Sequence, residues 1–152
     1  MRPSKGAEKW ELFTVVEFYT KGLEETMPTL TINGKTFEVD KGLRLVTALE
    51  QAGIRIGHRC GGVGECTSCR VKFLQGEPDV MTEAEYSKLA ESGLLGKQRL
   101  SCQIEIDRDM VVDVLETVDR HPEWSGDPGP EPGDLVEPEA VWYPIDEMKN
   151  WN

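Results

Sequence analysis

Three of the four cysteines of this chain fall within ten residues, 60-CGGVGECTSC-69, and the fourth stands alone at position 102. The spacing is C-x5-C-x2-C, then 32 residues, then C. Cysteines that merely fill a core do not gather in this way. Thiols so placed pair as disulfides, cycle as a redox dithiol, or hold metal. Disulfides need an oxidising compartment, and the N-terminus lacks the charged, apolar and small-residue order of a secretory signal. Cys66-x-x-Cys69 has the outline of a thioredoxin-like dithiol, but it lies in a glycine-rich loop and does not start a helix. Structural zinc is usually held by two short knuckles, and Cys102 has no companion, so a zinc domain is the second choice.

An iron-sulfur cluster fits better. Two irons bridged by sulfides spread four thiolate ligands over a wider object than one tetrahedral ion, so three ligands from one loop and one from a distant segment become reasonable. Gly61, Gly62 and Gly64 let the loop backbone bend so that its N–H groups approach sulfur, where they stabilise a negative cluster and tune its potential. His58, Arg59, Arg70 and Arg99 adjoin these segments. Any of them that faces the cluster would raise its potential; the alternative for each is a solvated loop side chain. His58 is not taken as a ligand.

The elements that must position the cysteines follow from periodicity. Residues 29-TLTINGKTFEV-39 alternate about Asn33-Gly34, a strong hairpin signal. Leu43, Val46, Leu49 and Ala52 recur at three-residue steps before Gly53, predicting a helix over 44–52. A strand is expected at 70–76. Thr82-Glu83-Ala84-Glu85 has the form of a capping box and starts a helix to about Glu91. Cys102 then lies in a loop, followed by strands at 103–106 and 110–115. Residues 10–23 are read as helical, although Thr14-Val15-Val16 also suits a strand.

Residues 27–117 resemble the [2Fe-2S] ferredoxin family, through 60-CGGVGECTSCRV-71, 99-RLSCQI-104 and 27-MPTLTINGKTFEV-39. The five-residue first gap departs from the plant-type pattern and is similar to adrenodoxin-like ferredoxins and to modules carrying C-G-G-x-G-x-C. The resemblance implies an α+β, β-grasp fold and a [2Fe-2S] cluster with Cys60, Cys66, Cys69 and Cys102 as cofactor and metal ligands. It also implies an electron carrier, not itself an enzyme, shuttling single electrons at low potential between a reductase and an acceptor oxidoreductase. In adrenodoxin-like ferredoxins an acidic helix between the third and fourth cysteines meets the partner; here 82-TEAEYSKLAES-92, with Glu83, Glu85 and Glu91 against Lys88, is a mild version of it.

Extensions flank this domain at 1–26 and 118–152. The second is rich in proline and glycine, carries nine acidic against two basic residues, and should lack long helices and strands. All four tryptophans, Trp10, Trp124, Trp142 and Trp151, lie in the extensions, which therefore dock on their own domain or on a partner. A net charge of −11 without a basic stripe argues against nucleic acid. With no apolar run of about 18 residues, membrane insertion is not expected, and the cytoplasm is the default location. Two further readings remain: a subunit held in a larger complex by its extensions, and a redox sensor.

Overall fold

The computed structural model describes residues 27–148. The chain opens with the hairpin β1 (Thr29–Ile32) and β2 (Lys35–Glu38), in antiparallel register from Thr29 opposite Glu38 to Ile32 opposite Lys35. Asn33 and Gly34 both take positive φ, at 53° and 82°, as a type I′ turn requires. Leu30 and Ile32 point inward and are buried.

Helix α1 (Leu45–Gln51) follows and buries Leu45, Val46, Ala48 and Leu49. Each large apolar side chain so removed from water contributes roughly 1.5–3 kcal/mol. After the cysteine loop come β3 (Arg70–Gln75), β4 (Val80–Thr82) and α2 (Glu83–Ser92). Then follow a two-residue β5 (Arg99–Leu100), a 3-10 turn at Ser101–Gln103, and β6 (Met110–Val114). The main sheet has the order β2-β1-β6-β3-β5, with β1 parallel to β6 and the other neighbours antiparallel. The parallel pair joins the two ends of the domain, so every element between them, the cysteine loop included, is enclosed by one long crossover. Met110, Val112 and Val114 alternate inward from β6 and share one core with α1, β1 and α2.

Two expectations are corrected. No strand occupies 103–106: the chain turns tightly at Ser101–Gln103, and the strand in this region is β5, which pairs with Arg70 and Val71 of β3. Ile104 and Ile106 are still buried, but their backbone bonds go to residues 42–45, with Leu45 N–H donating to Ile104 O at 2.9 Å and Ile106 N–H to Leu43 O at 2.9 Å. The turn aims Cys102 inward, and an uninterrupted strand through it would alternate side chains instead. The capping box is only half formed. Thr82 Oγ1 accepts from the Glu85 amide at 3.0 Å, but the Glu85 carboxylate turns to Arg99.

Residues 118–148 hold only short elements: 3-10 turns at Val118–Arg120 and Pro122–Trp124, strand β7 (Trp142–Pro144) and helix α3 (Ile145–Met148). Strand β7 pairs with β4, from Thr82 opposite Trp142 to Val80 opposite Pro144, and Met148 is buried in the core of the domain. The helix expected at 10–23 and tryptophans 10 and 151 lie outside the described residues. Among the described residues no helix is long and apolar enough to cross a membrane.

Candidate iron-sulfur site

The four cysteine thiols converge. Cys60, Cys66 and Cys69 come from the loop between α1 and β3, and Cys102 comes from the 3-10 turn after β5. Antiparallel pairing of β5 with β3 brings these two segments side by side, and the Ser101 amide and hydroxyl both donate to the Cys69 carbonyl, at 3.1 and 2.7 Å. The thiols form two hydrogen-bonded pairs, Cys60 with Cys66 and Cys69 with Cys102, and each pair feels charge from the other. Cys69 and Cys102 are buried, while Cys60 and Cys66 are partly exposed.

The loop backbone serves the sulfurs. Gly61, Gly62 and Gly64 take φ of 78°, 81° and 75°, and the amides of Gly62, Val63 and Glu65 point at the Cys60 sulfur. The bond from Cys66 and these amides, acting against burial, hold the Cys60 thiol down at about 4. The same bond and burial push Cys66 up, opposed by the Ser68 hydroxyl, which lies 3.1 Å from its sulfur. Cys69 is pushed up by its bond to Cys102 and by full burial. Cys102 is lowered by that bond and, against burial, by the Gln103 amide and the Arg44 charge. In each pair, then, one sulfur favours the thiolate and the other keeps the proton, and loss of two protons yields the four thiolates a metal centre needs. Paired sulfurs on a cradle of amides fit a two-iron centre, for which the two pairs would supply the thiolates.

The side-chain hydrogen bonds of the charged residues singled out beside the cysteines go to groups other than sulfur, Arg70 also donating to Thr67 Oγ1 in the loop at 3.2 Å. His58 is 1% exposed, and its Nε2 hydrogen-bonds Glu50 at 2.6 Å. Arg59 donates to the Asp127 carbonyl at 2.7 Å and lies over the Trp124 ring. Arg70 pairs with Glu116 at 2.5 Å. Arg99 donates from Nε and Nη2 to both carboxylate oxygens of Glu85, at 2.8 and 3.0 Å, and reaches Glu77 at 3.3 Å. Burial pushes Glu85 above its ordinary range while Arg99 pulls it down; with the Leu100 amide also donating to it, the carboxylate is held as the anion of an ion pair. Being fully buried, Glu85 cannot belong to an acidic docking face, which corrects that part of the helix reading.

Sequence reasoning passes over Arg44 and Gln103. Arg44 is buried at the start of α1 and donates to the carbonyls of Cys102, Gly62 and Gly133. Gln103 Nε2 lies 3.7 Å from the Cys102 sulfur and donates to Glu137 O at 2.6 Å, while its Oε1 accepts from Thr82 Oγ1 at 2.7 Å. The available signal for Arg44 is a cation set between Leu43 and Leu45, at the head of an apolar helix face.

The profile of the 2Fe-2S iron-sulfur cluster binding domain family matches residues 30–107, slightly more than half of the chain. The chain belongs to this family. The ferredoxin domain so identified carries a [2Fe-2S] cluster and has the β-grasp fold. It is similar to a subunit of the Na(+)-translocating NADH-quinone reductase of Methylococcus capsulatus, with 32% identity over 108 residues that make up 70% of this chain and 26% of that protein. The equivalent reductase subunit of Neisseria meningitidis is 36% identical over 91 residues, covering 59% of this chain and 22% of that protein. The chain thus spans about a quarter of the length of the curated relatives it matches. Among solved structures, the ISC-like [2Fe-2S] ferredoxin of Pseudomonas putida is 28% identical with a TM-score of 0.50, covering 59% of this chain and 94% of that one. The ferredoxin domain therefore serves electron transfer.

Proposed function

We propose that Cys60, Cys66, Cys69 and Cys102 hold the [2Fe-2S] cluster, and that the protein passes single electrons between a reductase and an acceptor oxidoreductase without catalysing a reaction of its own. The cluster supplies a site that accepts one electron and gives it back. The observation that carries the reading is the meeting of four thiols, in two pairs, on backbone amides aimed at sulfur. In this reading 27–117 is the cluster-bearing domain and 1–26 and 118–152 are its extensions. Electrons leave on the side of Cys60 and Cys66, because those are the partly exposed sulfurs and transfer requires a short path. The exchange takes place in the cytoplasm, where thiols stay reduced until a cluster is assembled on them.

A second reading is favoured by the relatives: a subunit of an electron-transfer complex, since part of this chain is similar to part of a reductase subunit. The tail speaks for the carrier, because β7 and Met148 are used inside the domain. An anaerobic titration of the purified chain, followed by visible and electron paramagnetic resonance spectra, tests the reading. A reversible one-electron signal between about −400 and −150 mV is expected. Its loss from Cys102→Ser and Cys66→Ser is expected too, and a variant that keeps the wild-type signal would remove that cysteine from the ligand set. Stable co-purification with a partner complex would favour the subunit over the carrier.

A further inference from the structure

Arg44 is 1% exposed, and among the described residues no carboxylate lies within ion-pair distance of it. Its donors are spent on three carbonyls: Nε and Nη2 on Cys102 O at 3.2 and 2.7 Å, Nη2 also on Gly62 O at 2.5 Å, and Nη1 on Gly133 O at 2.8 Å. Carbonyl dipoles satisfy hydrogen bonds but leave the net charge in place, and a buried charge without a counter-charge is costly. Arg99, the other deeply buried arginine among the described residues, has two carboxylates. What distinguishes Arg44 is its position between the two segments that bring the cysteines: it holds the carbonyl of Cys102 itself and that of Gly62, two residues after Cys60.

We propose that Arg44 is the buried counter-ion of the [2Fe-2S] cluster, a positioning residue that ties the cysteine loop to the Cys102 turn and raises the reduction potential. The inference rests on the ligand assignment above. Reduction adds one negative charge to a centre that is already anionic, so a fixed cation nearby stabilises the reduced form more than the oxidised form. Because the guanidinium is buried, salt in solution screens this effect little. The fork shape matters separately, since one planar group reaches three carbonyls from two sides. Through Gly133 it also fastens the C-terminal extension beside the cluster loop.

Charge and shape are separated by two variants of the full chain, Arg44→Gln and Arg44→Lys, each loaded with cluster and titrated anaerobically. Arg44→Gln is expected to keep the [2Fe-2S] spectrum and to lose at least tenfold in the equilibrium constant for reduction, a fall of about 59 mV for a one-electron couple. Arg44→Lys keeps the charge and is expected to stay within threefold of wild type, while losing cluster faster because the fork is gone. An unchanged potential in Arg44→Gln overturns the proposal. If Arg44→Gln fails to hold cluster, Arg44→Lys decides alone: a near-wild-type potential supports the counter-ion, and a tenfold loss overturns it. Loss of cluster from both variants also overturns it and leaves a folding clamp. A wild-type signal that survives the cysteine substitutions would instead defeat the ligand assignment and not the arginine.

Discussion

Among the described residues two arginines are buried at the 99–103 segment, Arg99 within it and Arg44 against its Cys102 carbonyl, and their surroundings differ in kind. Arg99 lies in a shoulder made by β4, α2 and β5, where Glu85 meets it with both carboxylate oxygens and Glu77 adds a third contact. Arg44 lies beside the cysteine loop, where every partner is a neutral carbonyl. The shoulder is electrically closed. The cluster side is open by one positive charge, which suits a place where an anionic group resides. Burial alone therefore does not tell structural charge from functional charge; the presence or absence of a matching ion does.

The largest effect should come from breaking the closed side. Glu85→Ala leaves Arg99 buried with only Glu77 and carbonyls, and loss of one partner of a buried pair costs about 3–5 kcal/mol. Chemical denaturation of the loaded protein should show this loss, while the midpoint potential stays at the wild-type value. Glu77→Ala, whose side chain is half exposed at 50%, should cost at most about 1 kcal/mol. A potential that moved with Glu85→Ala would tie the shoulder to the cluster and erase the contrast.

The sequence shows the repeating parts of this molecule well and the single contacts poorly. The hairpin, α1, β3 and β6 are legible because alternation and three-to-four-residue spacing record which face is buried, and α2 because Thr82-Glu83-Ala84-Glu85 marks its start. The meeting of the four cysteines is legible because their spacing is itself the message. The strand expected at 103–106 has the right alternation, with Ile104 and Ile106 buried, but periodicity does not say whether a ladder partner is present. Strand β7 is three residues long and includes Pro144, so it leaves almost no pattern, and its pairing with β4 is a tertiary event. Arg99 stands out through its nearness to Cys102 in sequence, yet its side chain turns to Glu85. Arg44 lies 16 residues before Cys60, with nothing in the sequence to link it to the site, although folding sets it against the Cys102 turn.

A middle-sized effect should follow from lifting the tail off the cluster side. Gly129 sits at φ +123°, and a Cβ there would fall on the His58 carbonyl oxygen and lie 2.6 Å from Arg59 Cα. Neither backbone atom can swing aside as a side chain could. Gly129→Ala should cost roughly 1–3 kcal/mol. Limited proteolysis should then cut within 127–139 faster than in wild type, and the cluster should bleach sooner in air. Wild-type digestion and bleaching rates would mean that the tail contributes nothing to shielding, and the cluster side would reduce to its loop.

The smallest effect lies where the two kinds of region meet the solvent. His121 Nε2 bonds Glu116, Nδ1 bonds Glu123 at 2.7 Å, and the ring stacks on Trp124 with centroids 4.1 Å apart. Arg59 also lies over the Trp124 ring, and Glu116 continues to Arg70, so the imidazole sits in a chain of alternating charge. The hydrogen bonds to Glu123 and then Glu116 raise its pKa above the ordinary 6.5. A raised histidine binds its proton more tightly folded than unfolded, so its stabilising contribution is complete below about 6.5 and fades as pH rises through the raised value. Imidazole resonances followed by NMR should titrate above the unfolded position, and His121→Gln should flatten the stability profile in that window only. Glu123 is exposed while the ring and Glu116 are only partly covered, so the change should be small and should weaken with added salt. A potential that tracked this titration would show that charge on the Trp124 surface reaches the cluster, extending the open side beyond Arg44.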